Sequence, residues 1–325
     1  MEDKIKKIKR VGILRGGTGK HYASSLKEGG EIISHIFENL QDNFKVVDIL
    51  IDKDYIWHVN GIPVNLGDLI NKVDVVWNTT HSSFSNILDS LSIPNISVST
   101  FSSVLSGSRE MLRKHMQGIG VDMPRSIVLP FYQEDFDGPR DKYAVKKAKE
   151  VFEKFGAPWI VKSFTPDSNM AIHLAKTFNE LVAGIEDGVE HEKSILVEEF
   201  IGGKVASLHS VRDFRGQGIY IFPIGNMFDD LSELSSKQGE FYRVSFSSTE
   251  KEKLANLVKD LYNHIGAKHY LKSNFVLNPR GKIYLTHIEL APDLRTGSHF
   301  SQVCESVGVK MHHIVEHILE NTYNK

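Results

Sequence analysis

Short apolar runs alternate with helical patterns along the first third of the chain. Val11–Leu14 and Phe44–Leu50 read as buried strands, and Ala23–Asn39 between them spaces its apolar residues as a helix does. Val73–Asn78 predicts a further strand, Phe84–Leu91 a helix, and Ile96–Val98, just after Pro94, another short strand. Alternation of this kind argues for a parallel sheet flanked by helices. Gly16 and Gly17 fall at the first strand-to-helix turn, where such sheets usually hold ligands.

A second unit begins near Ser106. The pattern predicts a helix over Arg109–Gly118, a strand over Ile127–Leu129, a charged helix over Lys142–Phe155 and a strand over Pro158–Lys162. PFYQEDFDGPRDK, before the charged helix, has no usable period and reads as a loop. Ile195–Glu198 opens a third, strand-rich unit that continues through Leu208–Arg212, Gly218–Phe222 and Arg243–Phe246. A helix over Glu250–Ile265 leads to strands Ser273–Leu277 and Lys282–Ile288, joined by a turn at Asn278–Gly281. Alternation along the latter strand puts His287 and Glu289 on one face. Pro292 and Gly297 mark a loop beyond it, Phe300, Val303 and Val307 suggest a helix, and a last helix runs from Lys310 to Asn321.

The composition is ordinary for a globular protein, with 41% hydrophobic and 25% charged residues. Thirty-nine basic against 41 acidic residues give a net charge of −2, which argues against a nucleic-acid partner or an anionic membrane surface. The single cysteine, Cys304, cannot form an intramolecular disulfide, and no apolar run reaches membrane-spanning length. These features lead to the expectation of a cytoplasmic protein.

GGTGK at 16–20 is not a Walker loop, because position 14 is Leu and position 21 is His where that motif needs Gly and Ser or Thr. The run GKIYLTHIELAPDLRTGSHF at 281–300 resembles the last strand and loop of the D-alanine–D-alanine ligases, members of the ATP-grasp superfamily. PWIVKSF at 158–164, SGSREMLRK at 106–114 and ILVEEFIGG at 195–203 extend the resemblance, in order, over almost the whole chain. It implies an α/β (α+β) protein with the three-domain ATP-grasp fold. The units would be a Rossmann-like N-terminal domain over 1–104, a central domain over 105–196 and a C-terminal domain over 197–325.

The same resemblance implies roles. Lys162 and Arg109 would contact nucleotide phosphates, with Arg113 and Lys114 as alternatives to the latter; Lys162 also reads simply as a lysine snorkelling from a strand end. Glu198, Glu199 and Ile201 would form the hinge that receives adenine. His21 stands where the family has a Glu for the first substrate's ammonium, although a glycine turn followed by surface His21 and Tyr22 explains these residues as well; WNTTHSSFSNILDSLSIPN replaces a longer loop that helps seat that substrate, its glycines and acidic pair are gone, and His81 in it reads as incidental. Ser168 matches a substrate-binding serine within TPDSNMAIHLA, where flanking glycines have become Asp167 and Ala171. Ser298 would receive a substrate carboxylate, with Arg295 nearby. Lys272 replaces an Arg that stabilises the developing phosphate charge. Asn274, His287 and Glu289 occupy the metal-ligand positions, and they carry one negative charge in place of the family's two. Magnesium prefers hard oxygen donors, so Mg²⁺ would bind weakly, while Mn²⁺ or Zn²⁺ could use His287 with Glu289.

Function follows by resemblance: ATP phosphorylates a carboxylate, and an amine attacks the acyl phosphate to form an amide. The partners implied are a nucleotide and an amino-acid-like carboxylate, with a homodimer as the assembly considered. The alternative is a homologue that binds a nucleotide, amino acid or protein without ligating. His313 and His317, four residues apart on the last helix, are a weaker candidate metal pair, and a solvated helix face explains them as well.

Overall fold

The computed structural model describes residues 8–17, 19, 21–164, 170–191, 194–224 and 245–323. Its first unit comprises β1 (Lys9–Gly16), α1 (Tyr22–Asn39), β2 (Phe44–Ile51), β3 (Trp57–Val59), β4 (Ile62–Pro63), β5 (Val75–Asn78), α2 (Ser83–Ser90) and β6 (Asn95–Ile96). They form one sheet in the order β4-β3-β2-β1-β5-β6. β1 pairs in parallel with β2 and β5, and β5 with β6, as the alternation predicts. Central β1 is a nearly continuous buried run, the pattern of a strand covered on both faces. The sequence reading missed the β3–β4 hairpin, which turns at Asn60 and Gly61, both at positive φ.

Next come α3 (Thr100–Gly107), α4 (Arg109–Gly118), β7 (Ser126–Leu129), α5 (Tyr132–Asp135), α6 (Arg140–Lys154), β8 (Trp159–Ser163), β9 (His173–Ala175), α7 (Phe178–Glu190) and β10 (Ile195–Glu199). The stretch read as a loop therefore contains the short α5, and α7 was not anticipated. The second sheet has the order β7-β10-β8-β9 and is antiparallel throughout. This corrects one expectation. Ile195–Glu198 does not open the third unit, because β10 lies between β7 and β8 and an apolar run names a strand without naming its partners. We keep the three-unit division as a proposal, with its second boundary moved past Glu199.

The remainder is β11 (Lys204–Arg212), β12 (Ile219–Ile221), α8 (Ser248–Ile265), β13 (Tyr270–Leu277), β14 (Ile283–Glu289), α9 (His299–Glu305) and α10 (Met311–Tyr323). The third sheet is antiparallel in the order β12-β11-β13-β14. Of the strand expected over Arg243–Phe246, the first two residues lie outside the described residues, and Ser245 and Phe246 are in no strand.

Packing divides the molecule differently from the chain order. The second sheet, α6 and α7 make a core of their own from Tyr143, Trp159, Val161, Leu181 and Ile185. The first and third sheets share one cluster, in which Val11, Trp77 and Ile36 join Tyr270, Phe300 and Ile314. Leu112 and Met116 of α4 pack with Leu254 and Val258 of α8 against Leu271 and Leu285 of the third sheet. Thus α4, though it opens the second unit, is fixed to the third sheet, and its first residue, Arg109, reaches the junction with the second.

Candidate active site

That junction carries a buried ion cluster. β8 and β10 lie antiparallel, and Lys162 and Glu198 project where they meet. Lys162 Nζ is 2.9 Å from Glu198 Oε2, and Arg109 Nη2 donates to Glu198 Oε1. Both the Arg109 and Glu198 side chains are almost wholly buried. Burial pushes the Glu198 carboxyl up, but the charges and hydrogen bonds of Arg109 and Lys162 outweigh it and hold it below the usual carboxylate range. Two cations against one carboxylate leave one net positive charge. Arg109 Nε, also buried, has no hydrogen-bond partner among the described residues, so a donor remains for an incoming oxygen.

Arg109 also reaches the third sheet. β14 carries an irregularity: Asn274 faces His287 and Phe275 faces Leu285, so Thr286 between them has no partner in register. Its main-chain oxygen accepts from Arg109 Nη1 at 2.6 Å. Arg113 and Lys114, the sequence's other candidates, do not enter this cluster; Lys114 pairs with Glu110 on the surface.

Glu199 faces away from the cluster. Its two oxygens accept from Arg125 at 2.9 Å each. The amide N–H groups of Glu199 and Phe200 donate to Arg125 O at 2.8 Å and Pro158 O at 3.0 Å, so neither is available to a base. Half-buried Ile201 follows directly.

On the third sheet, strand register builds two parallel rows. Ser207, Asn274 and His287 stand opposite one another, and His209, Lys272 and Glu289 form the next row. Being two residues apart on each strand, the rows share a face. Lys272 Nζ lies 3.2 Å and His287 Nε2 3.3 Å from Glu289 Oε1. Burial raises the Glu289 carboxyl, but the His287 hydrogen bond and the Lys272 charge prevail and bring it down to about 2. Asn274 Oδ1 accepts from Ser207 Oγ at 2.8 Å. Behind Lys272, buried His209 sits 2.6 Å from Tyr270 OH and 2.7 Å from His299 Nδ1, with its ring stacked on Phe300. Desolvation, reinforced by His299 and Lys272, holds the His209 imidazole well below its ordinary pKa. His209, Tyr270 and Ser207 escaped the sequence reading.

The metal-ligand positions thus come together, but their chemistry does not suit a pair of magnesium ions. Asn274, His287 and Glu289 offer one carboxylate, already matched by Lys272, one amide oxygen engaged by Ser207, and an imidazole. Magnesium requires oxygen donors in near-octahedral order. Among the described residues no three His, Cys, Asp or Glu side chains gather as a metal site. His313 and His317 are likewise not a metal pair, since His313 Nδ1 accepts from Lys310 N and His317 Nε2 contacts Arg212 O and Asn321.

His21 lies exposed just before α1, at the end of the turn that follows β1. Ser298 caps α9: it accepts from Ser301 N at 3.1 Å and donates to Asp293 O at 2.9 Å. Arg295 is neutralised by Asp293. The loop bearing Ser298 is tied to the first unit through His35 Nε2 and Leu294 O, 2.8 Å apart. Ser168 and the rest of 165–169 lie outside the described residues.

The likeness to known proteins is extensive. A curated D-alanine--D-alanine ligase from Christiangramia forsetii is 20% identical over 336 residues, spanning 98% of this chain and 99% of the relative. The crystal structure of D-alanyl-alanine synthetase A from Vibrio cholerae superposes with a TM-score of 0.68 at 16% identity, over 97% of this chain and 98% of that one. The VanG D-Ala:D-Ser ligase from Enterococcus faecalis gives 0.68 at 17% identity, over 98% and 100%. The fold is therefore ATP-grasp, as the motifs implied. No helix among the described residues is long and apolar enough to cross a membrane. With residues 120–320 matching the family model for the D-ala D-ala ligase C-terminus, this chain belongs to the D-alanine–D-alanine ligase family.

Proposed function

We propose that the protein is an ATP-dependent carboxylate–amine ligase that works through an acyl phosphate. The observation that carries this reading is the convergence of Lys162 and Arg109 on Glu198 at the junction of the second and third sheets. A cluster with one net positive charge and a spare guanidinium donor suits a polyphosphate, and half-buried Ile201, just beyond the committed amides of Glu199 and Phe200, would pack against the base. Glu198 fixes both cations in place before the nucleotide arrives, so little reorganisation is needed on binding.

Lys272 stands on β13 of the third sheet, held by Glu289. Its ammonium would stabilise negative charge growing on the transferred phosphoryl group, as a point charge without the fork of an arginine. Ser168 and Ser298 would orient the acid, and a carboxylate there would meet His21 from the first unit. A divalent ion carried by the nucleotide would meet His287 and Glu289, a pair that suits Mn²⁺ better than Mg²⁺. We place this chemistry in the cytoplasm, where ATP is available, and a homodimer remains our proposal for the assembly.

The non-ligating alternative gains nothing from these relatives, all of which carry ligase or synthetase names. A calorimetric titration with ATP, with and without Mg²⁺ or Mn²⁺, tests the reading. Binding strengthened by the metal is expected, whereas no heat of binding under any of these conditions would refute it.

A further inference from the structure

The first turn of α9 is fastened to the third sheet by a chain of polar groups set among aromatic rings. On β11, His209 faces Lys272 of β13, and Lys272 in turn faces Glu289 of β14. Tyr270, two residues from Lys272 on the same strand, shares that face. His209 is 1% exposed. Its Nδ1 lies 2.6 Å from Tyr270 OH, and its Nε2 lies 2.7 Å from Nδ1 of His299, the first residue of α9. Phe300 stacks on the His209 ring with centroids 4.7 Å apart, and it meets Tyr270 at 5.1 Å and Phe222 at 5.3 Å.

The rings and the hydrogen bonds do different work. Aromatic packing is satisfied over centroid separations of about 4.5–7 Å, so it tolerates a slide of α9 along the sheet. Hydrogen bonds are directional and weaken steeply off line. A neutral imidazole has one donor and one acceptor nitrogen, and the chain closes in either direction. Tyr270 OH donates to Nδ1 while Nε2–H donates to His299, or His299 donates to Nε2 while Nδ1–H donates to the tyrosine oxygen. Apolar side chains of similar shape would cohere about as well without the desolvation cost of these groups. What the chain adds is a fixed placement of α9 on the sheet.

Each end of the chain adjoins a residue with a part in the proposed reaction. His299 directly follows Ser298, and Ser298 moves with the helix that it caps, because its Oγ accepts from Ser301 N at 3.1 Å. The same hydroxyl donates to Asp293 O at 2.9 Å, which ties the preceding loop to the helix start. At the other end, His209 stands beside Lys272 in register. A single hydrogen bond between two imidazoles thus separates the helix that carries Ser298 from the strand pair that carries Lys272.

We propose, on the footing of the ligase reading above, that His209 is a positioning residue: through His299 it holds Ser298, and the acid oriented there, in line with the phosphoryl group that Lys272 would meet. In that step a carboxylate oxygen bonds to the γ-phosphorus of ATP as the bond to the ADP oxygen breaks. The reacting atoms must lie about 3–3.5 Å apart and in line, and a misplacement of about 1 Å costs on the order of a hundredfold in rate. His209 gives and takes no proton in this transfer. Its contribution is the geometry of α9, which reaches the reacting atoms through His299 and Ser298.

Acid-dependent phosphate release from ATP by the whole protein reads this out, with Mn²⁺, an amine mixture, and a pool of D-alanine, both lactates and simple carboxylic acids. His299→Leu removes the bond, whereas His299→Asn returns an amide to the place of Nδ1. The leucine variant should lose about a hundredfold in kcat with the KM for ATP within about twofold, and the asparagine variant should recover most of that loss. His209→Leu should lose as much as His299→Leu, and the double variant no more than either, because all three break one bond. An unimpaired kcat in His299→Leu, equal losses in the leucine and asparagine variants, a KM for ATP that rises with the loss, or losses that multiply in the double variant would overturn the inference. Should a leucine variant fail to fold, His299→Gln takes its place, since its longer side chain carries the amide past the bonding position and only asparagine should keep kcat. Phosphate release that no acid accelerates in the unmodified protein sinks the ligase reading and this inference with it, while acceleration by acid that His299→Leu leaves intact sinks this inference alone.

Discussion

The guanidinium of Arg109 donates to the main-chain oxygen of Thr286 at 2.6 Å while its second terminal nitrogen holds Glu198. One side chain from α4 thereby joins β14 of the third sheet to β10 of the second. Removing it would strand a buried carboxylate with Lys162 alone. Arg109→Ala is predicted to cost about 3–5 kcal/mol of stability, the scale of breaking one partner out of a buried ion pair. Arg109→Lys should lose less, because it keeps the charge. Urea unfolding midpoints would decide, and a loss below about 1 kcal/mol for the alanine variant would show the cluster to be better hydrated than its burial suggests.

Lys162 is the least buried member of the cluster, and we propose that its role is binding rather than folding. Lys162→Ala should weaken ATP affinity by about 1–3 kcal/mol, the size of a charge-assisted contact. Unchanged ATP affinity in calorimetry would remove the nucleotide from this junction.

His209 predicts a pH dependence with a definite sign. Burial keeps its native pKa well below the ordinary 6.5, so below that pH the unfolded chain takes a proton that the native protein refuses. Stability should therefore fall as pH drops below about 6.5, by up to about 1.4 kcal/mol per unit, until the native pKa is reached. Glu198 acts elsewhere: its lowered pKa stabilises the fold above the ordinary 4.5, and that contribution is lost only as pH falls toward the native value. His209→Gln should flatten the slope between pH 6.5 and 5. An equal slope in that variant would assign the effect to other histidines.

How much of this was legible depends on the signal each element leaves. Arg109, Leu112 and Met116 are spaced as one buried helix face, which sets Lys114 apart, but Arg113 follows Arg109 by four residues and shares that face, so spacing alone does not choose between the two arginines. The helix Phe178–Glu190 announces itself by the Thr177–Glu180 capping box, but two glycines within it dilute the period. Asn60-Gly61 is a strong hairpin signal that went unread because its strands are only three and two residues long. Other features leave no local trace. Nothing in ILVEE says that β10 pairs with β7 and β8, and no spacing brings His209 to Tyr270 and His299, sixty-one and ninety residues away. Those are facts of strand register.

If only the metal row has drifted, restoring its charges should restore magnesium. Asn274→Asp, His287→Glu and Glu289→Asn together supply two carboxylates at facing register positions and one amide in the next row. The three must change as a unit, because adjacent ligands are not additive. Magnesium-dependent ATP affinity should rise about tenfold, roughly 1.4 kcal/mol. A normally folded triple variant with no gain would mean that these strands are not where the nucleotide's metal lies.

The most direct test of the central claim is acid-dependent phosphate release from ATP by the unmodified protein. The assay would supply Mn²⁺, an amine mixture, and in turn lactate, other 2-hydroxy acids, simple carboxylic acids and D-alanine. The account predicts release with at least one of these acids at about 1 s⁻¹ or faster, and well below that with D-alanine when magnesium replaces manganese. Phosphate release that no carboxylic acid accelerates, from a protein that binds ATP at Lys162, would contradict it.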